Sequence, residues 1–306
     1  MTTKDYRADY FRQHGRPSAE AQALAVDDDR DLETAIRDTN ASTDARVAAI
    51  DAAGSTAPAR PDVVQALIDV LASSDDDPVV RRAARTMLGQ LSFATGAFAP
   101  YEADYRNALR VAATDPDRPL AEAALATLAQ ARDDYAQRII LAGLEDPTRA
   151  VVSRQRALRL LGNDLHAAQF PMLRDIATAK AADPVERVTA LRLLAADSDS
   201  APLFEQLVGD RSEDVGVRIA SATALHNLDP TQFAPTAEGI VLDADDDDDL
   251  RAVCLTALAV APDTPTAQSD PDVLADAVQN APTPPSAELD RAVAQYRAAK
   301  ASDGGG

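Results

Sequence analysis

Residues 77–88, DPVVRRAARTML, and residues 183–194, DPVERVTALRLL, state nearly one phrase twice. A phrase that returns at a regular interval constrains a fold more than any local preference, because each copy must pack as the last one did. The shared pattern is Arg, two residues, a small residue, three residues, Leu. Its small position falls at Ala49, Ala84, Ala124, Ala157, Ala190, Ser221 and Cys254, with successive spacings of 35, 40, 33, 33, 31 and 33. Arg stands three residues earlier at Arg46, Arg81, Arg154, Arg187, Arg218 and Arg251, and the third copy has Ala121 instead. Leu stands four residues later at Leu88, Leu128, Leu161, Leu194, Leu225 and Leu258, and the first copy has Ala53. A period close to 33 predicts an array of stacked units in which each buries its apolar face on the next.

Each phrase carries its own helix-start signal. Asp77, Asp183 and Asp214 stand where a carboxylate accepts from the first free amides of a helix, and Pro78 and Pro184 stand where a missing N–H costs nothing. Four times an Asp precedes the repeat Arg by four residues, as Asp77/Arg81, Asp183/Arg187, Asp214/Arg218 and Asp247/Arg251. That spacing puts both on one helical face, and in stacked helices the same Arg also reaches the Asp of an adjoining turn. The row is therefore expected to be a structural ladder. After each phrase comes a second segment whose apolar residues recur at three and four, at 61–72, 101–112, 134–144, 167–177, 201–209 and 232–242. No strand alternation interrupts them, so the expected fold class is all-α.

The phrases DPVVRRAARTMLGQL, DPVERVTALRLLAAD and EDVGVRIASATALHNLD resemble HEAT repeats, in particular the short kind called PBS-lyase HEAT-like repeats, over about residues 44–280. The resemblance implies an α-solenoid: a right-handed superhelix of about seven antiparallel helix pairs, with second helices lining a concave face, and terminal capping helices. It also implies a scaffold or adaptor that binds protein partners. On this frame residues 1–40 are expected to be N-terminal capping helices, at about 4–14 and 29–38. Residues 41–281 are expected to form the array, and 282–306 a final helix with a mobile Gly tail. Tyr6, Tyr10 and Phe11 in YRADYF are expected to staple the first capping helix to the first repeat.

Composition narrows the function. Hydrophobic residues make up 46% and aromatics 4%, with no Trp, so Ala-rich helices in close contact supply the core. One Cys in 306 residues excludes a disulfide framework. With no charged-then-apolar leader and no apolar run near the roughly 20 residues of a membrane span, a cytoplasmic, membrane-free protein is expected. The formal net charge is −20, from 50 acidic and 30 basic residues, and residues 193–290 hold three basic against twenty acidic, 3 − 20 = −17. Such a field repels nucleic acid and attracts a basic segment of a protein partner, although salt adaptation gives the same surface.

No nucleophile elbow, phosphate loop, paired-Cys or zinc-protease motif occurs, and His14, His166 and His226 lie far apart with no Glu beside them. The di-iron deoxyhypusine hydroxylases resemble this architecture but carry paired His-Glu motifs, and HEAT-like DNA glycosylases need a basic face, so neither activity is expected. Cys254 stands at the small anchor and is expected to pack. The run Asp243–Asp249 invites a calcium loop, but its sixth residue is Asp248 rather than Gly and its twelfth is Cys254 rather than Glu, so a helix-capping turn is expected.

Two groups on the second segments remain. Arg106, Arg110, Arg138 and Arg174 can form a basic stripe, with Tyr101, Tyr105 and Tyr135 near it as candidate partner-binding residues. The aromatics do not hold register against the repeat, so most are expected in the core. The sequence thus reads as a non-enzymatic scaffold without cofactor or metal, binding a protein through its concave face. A phycobilin-lyase-like enzyme accessory and a self-assembling structural array are the alternatives.

Overall fold

The computed structural model describes residues 32–54, 57, 60–260, 271–281 and 284–303, all in helices, turns and loops with no strand among them. The fold class is all-α. No described helix is long and apolar enough to cross a membrane. The first expected capping helix, with Tyr6, Tyr10 and Phe11, lies outside the described residues, as do His14, residues 261–270 and the Gly tail from 304.

The chain divides into two compact units, Met1–Ser153 and Arg154–Gly306. In the first, α1 (Leu32–Arg37), α3 (Pro61–Ala72), α5 (Glu102–Ala112) and α7 (Asp134–Glu145) alternate with α2 (Thr43–Ala53), α4 (Pro78–Leu91) and α6 (Arg118–Gln130). Helices α2, α4 and α6 carry the repeated phrase. Each packs on the helix before it, α4 packs on both α2 and α6, and α1, α3 and α5 pack side by side as a second layer.

The second unit repeats the alternation. The phrase helices are α8 (Arg154–Leu161), α10 (Pro184–Leu194), α12 (Val215–Leu228) and α14 (Asp248–Val260), alternating with α9 (Phe170–Thr178), α11 (Ala201–Gly209), α13 (Pro230–Leu242) and α15 (Pro271–Gln279). From α10 onward each phrase helix packs on the helix before it and on its neighbouring phrase helices. The final α16 (Ala287–Asp303) packs on α14 and so extends the phrase-helix row, while α13 and α15 pack together in the other row.

The helices begin where the carboxylates put them. Asp77, Asp183 and Asp214 accept from the amides of Val79 at 2.7 Å, Val185 at 2.8 Å and Gly216 at 2.8 Å. Asp117, Asp133 and Asp229 do the same for α6, α7 and α13. Between α6 and α7 the chain reverses through Arg132 at φ 54, and the Asp133 amide donates to the Leu128 carbonyl at 3.0 Å. The left-handed residue closes α6 and turns Asp133 straight into the cap of α7.

All seven small anchors are buried, and so are the six Leu that follow them. Small buried residues at a fixed position let packed helices approach closely, and the buried Leu supply the bulk of each repeat's core.

Candidate functional site

The repeat arginines are buried, with Arg46, Arg81, Arg187, Arg218 and Arg251 all at most 5% exposed. Each donates to a backbone carbonyl ten residues earlier, at the end of the preceding helix: Ile36, Leu71, Ala177, Val208 and Val241. Those carbonyls are among the last of their helices and have no partner within them. The same guanidinium then crosses to a carboxylate of the next turn: Arg46 to Asp76 at 2.7 Å, Arg187 to Glu213 at 2.7 Å, Arg218 to Asp246 at 2.6 and 2.8 Å, and Arg81 to Asp115. The four-residue Asp/Arg spacing thus does not produce ion pairs within one helix. The first Asp is held by its own helix's amides, and the Arg looks across to the neighbouring turn. Arg251 differs, closing on Asp248 of its own helix at 2.9 Å. Arg154 opens α8 exposed, 3.6 Å from Glu186, so it makes no buried rung.

Electrostatics follow the geometry. Burial pushes the carboxyls of Asp76 and Asp246 up, but the hydrogen bonds from Arg46 and Arg218 and the adjoining amides outweigh it and hold both below the usual carboxylate range. The acidic run 243–249 dissolves into such roles. Asp246 answers Arg218, Asp247 caps α14 through the Asp249 amide at 2.9 Å, Asp248 binds Arg251 and the Ser286 amide that leads into α16, and Asp243 binds Arg211. Cys254 lies fully buried, and burial together with the nearby Asp246 pushes its thiol up to about 12. Among the described residues no group of three or more His, Cys, Asp or Glu side chains is placed to hold a metal ion.

The stripe candidates fall in different places. Arg110 on α5 binds Asp133 at 2.7 Å, and Arg174 on α9 binds Asp197 and the Ser200 hydroxyl, the latter at 2.8 Å. Both pairs span 23 residues and tie one second-layer helix to the start of the next, so these two arginines form a second set of rungs. The constant 23-residue Arg-to-Asp spacing was the readable signal for it. Arg174 belongs to the second unit and the other three arginines to the first. Tyr105 is buried against Phe98, ring to ring edge-on at 5.5 Å, and its hydroxyl has no hydrogen-bond partner. Tyr101 is half-buried, with its ring also against Phe98 at 6.0 Å between centroids.

Tyr135 and Arg138 sit together on α7. A cleft of about 390 Å³ is lined by Thr114, Tyr135, Arg138, Ile139, Ala142, Arg149 and Val151. Arg138 lies over the Tyr135 ring at 5.9 Å from its centroid, and Arg149 faces it from the turn Pro147–Arg149. That turn sits close on α7 because residue 143 is Gly: a Cβ there would come within 3.0 Å of Ala150 Cα. Arg118 of α6 holds it from the other side, donating to the Ala150 and Val151 carbonyls at 3.2 and 3.0 Å. Arg106, exposed on α5, adds its field to that of Arg110 at Asp133. The arrangement offers two cations above an apolar wall, which suits a carboxylate carried next to a bulky apolar group. Arg149 and Arg118 were not singled out in the sequence, because neither occupies a repeat position.

Compared with known proteins, the chain matches no family model, and no curated protein is significantly similar to it.

Proposed function

We propose that this protein is a HEAT-like repeat scaffold, not an enzyme, and that the second-helix surface around Tyr135 and Arg138 binds an acidic segment of a protein partner. The observation that carries the reading is the α7 cleft, where Arg138 and Arg149 stand over Ile139, Ala142 and Val151. Arg110 is committed to a rung with Asp133 and Arg118 to the Ala150 and Val151 carbonyls, whereas Arg138 and Arg149 line the cleft. A stacked array suits this work because its surface is fixed by the ladder beneath it, which lowers the ordering cost of binding. Extension of the two helix rows into a solenoid is part of the proposal.

The test is affinity capture of partners from the organism's lysate at low and high salt, comparing the natural chain with Arg106→Glu/Arg138→Glu. A discrete partner retained at low salt and reduced about tenfold by the double substitution, at unchanged helicity, is the expected result. Equal capture by the two proteins removes the cleft from the proposal. A reproducible turnover abolished by a cleft substitution would overturn the scaffold reading itself.

A further inference from the structure

The second unit carries an opening of its own on its phrase-helix row, which shares no residue with the α7 cleft. It is a groove of about 830 Å³ over α12, α14 and α16. Its floor is Ala222, Ala252, Ala257 and Ala292, small enough to leave a trough where larger side chains would have filled it. Ile219 and Thr223 on α12, and Val253, Thr256 and Val260 on α14, form two stripes at helical spacing along it. Val260, at the end of α14, is a large apolar side chain that is 70% exposed.

We propose that this groove docks a cationic amphipathic helix of a partner protein. The proposal rests on the scaffold reading and adds a second site with a partner chemistry opposite to that of the first. A helix is favoured by the hydrogen bonds already made. The Thr223 and Thr256 hydroxyls both donate to carbonyls of their own helices, Ile219 and Ala252, each at 2.9 Å, so the trough presents their methyls. An extended peptide lying there would leave its amides and carbonyls without partners, whereas a helix satisfies its own and needs only an apolar face.

Charge selects among helices. Arg291 at the rim is tied to Glu288, and the three basic residues of 193–290 are each engaged, Arg211 by Asp243, Arg218 by Asp246 and Arg251 by Asp248. The exposed Asp249 carboxylate at the rim and the surrounding acidic surface therefore face any occupant with uncompensated negative charge. A second copy of this chain brings the same acidity to the contact and is repelled, as is an anionic membrane or nucleic acid. A segment with Lys or Arg flanking an apolar stripe is attracted.

The experiment screens a displayed library of peptides about 16 residues long against the full chain, then measures selected peptides by fluorescence anisotropy on the natural chain and on Thr256→Arg and Thr223→Arg. Both threonines are exposed on helices, so either substitution can be made without disturbing the core. Enrichment of peptides with apolar residues at i, i+3, i+4 and i+7 flanked by Lys or Arg is expected. Their binding should weaken at least tenfold on either variant and with rising salt. Peptides that are anionic or charge-blind, or that bind the variants equally, overturn the proposal, as does self-association abolished by Thr256→Arg. Lysate capture on the same variants separates the two readings: a partner still retained while no cationic helix binds sinks the groove alone, and no partner retained by any form sinks the scaffold.

Discussion

Arg218 is 5% exposed, and its donors reach the Val208 carbonyl at 3.0 Å and both oxygens of Asp246. Arg187 is as deeply placed, but its Nη2 has no partner, and its carboxylate, Glu213, is shared with Lys180 at 3.6 Å. The two rungs should respond differently to loss of the cation. Arg218→Met leaves Asp246 buried and unpaired and should cost about 3–5 kcal/mol in a denaturant titration. Arg187→Met leaves Glu213 with a second cation and removes an unsatisfied donor, so its cost should be smaller by about 1 kcal/mol or more. Equal losses would mean that burial alone, not completeness of pairing, sets the value of a rung. The Tyr105 hydroxyl is a related case, buried without a partner and with its pKa raised by that burial despite Arg85 nearby. Tyr105→Phe should stabilise the chain by about 1 kcal/mol and leave partner binding intact. A loss of binding would return Tyr105 to the functional surface.

The units of construction at the next scale are a capped phrase helix and the helix that precedes it. Leu194, fully buried at the end of α10, is the residue by which the predicted register stands or falls. Leu194→Ala should cost about 2–5 kcal/mol, because the α9, α10 and α12 backbones cannot close over the void. The α6–α7 reversal offers a gain instead. Arg132 occupies the left-handed region at φ 54, where a Cβ is strained by about 1–2 kcal/mol, and Gly is not. After its larger unfolded-state entropy is discounted, Arg132→Gly should still stabilise by about 0.5 kcal/mol, seen as a raised Tm. A lowered Tm would show that the Arg132 side chain makes contacts that matter more than its backbone.

For the whole molecule, the acidity and the ladder act in opposite senses. Self-repulsion among the carboxylates behind the net charge of −20 is screened by salt, whereas buried rungs are screened little. Lowering pH removes the repulsion but also protonates the rungs. Asp76, Asp246 and Glu213 all have carboxyls held below the usual range, and Asp210 is lowered to about 2 by the Ser212 hydroxyl and amide and by Lys180. A carboxyl whose folded pKa is depressed contributes stability that is fully present above its unfolded pKa, roughly 4, and is lost as pH falls through the folded value. Stability should therefore hold from about pH 8 to 5 and drop steeply below about pH 4. Stability that rises steadily down to pH 3 would show that relief of self-repulsion outweighs the ladder.

The sequence by itself determined the all-helical class, the helix starts at Asp77, Asp183 and Asp214, and the burial of Ala, Ser, Cys and Leu anchors. These depend on periodicity and on groups within a few residues of one another, which is information one copy of the phrase already holds. It also pointed to a ladder, but not to its partners: the Asp four residues away is nearer along the chain, and only packing brings Asp115 or Asp246 to the guanidinium. The second set of rungs, Arg110 with Asp133 and Arg174 with Asp197, likewise became visible only once packing brought each pair together. Arg149, Arg118 and the alanine-floored groove came from tertiary structure alone, because a surface site collects residues from turns and neighbouring helices that share no spacing a repeat could reveal.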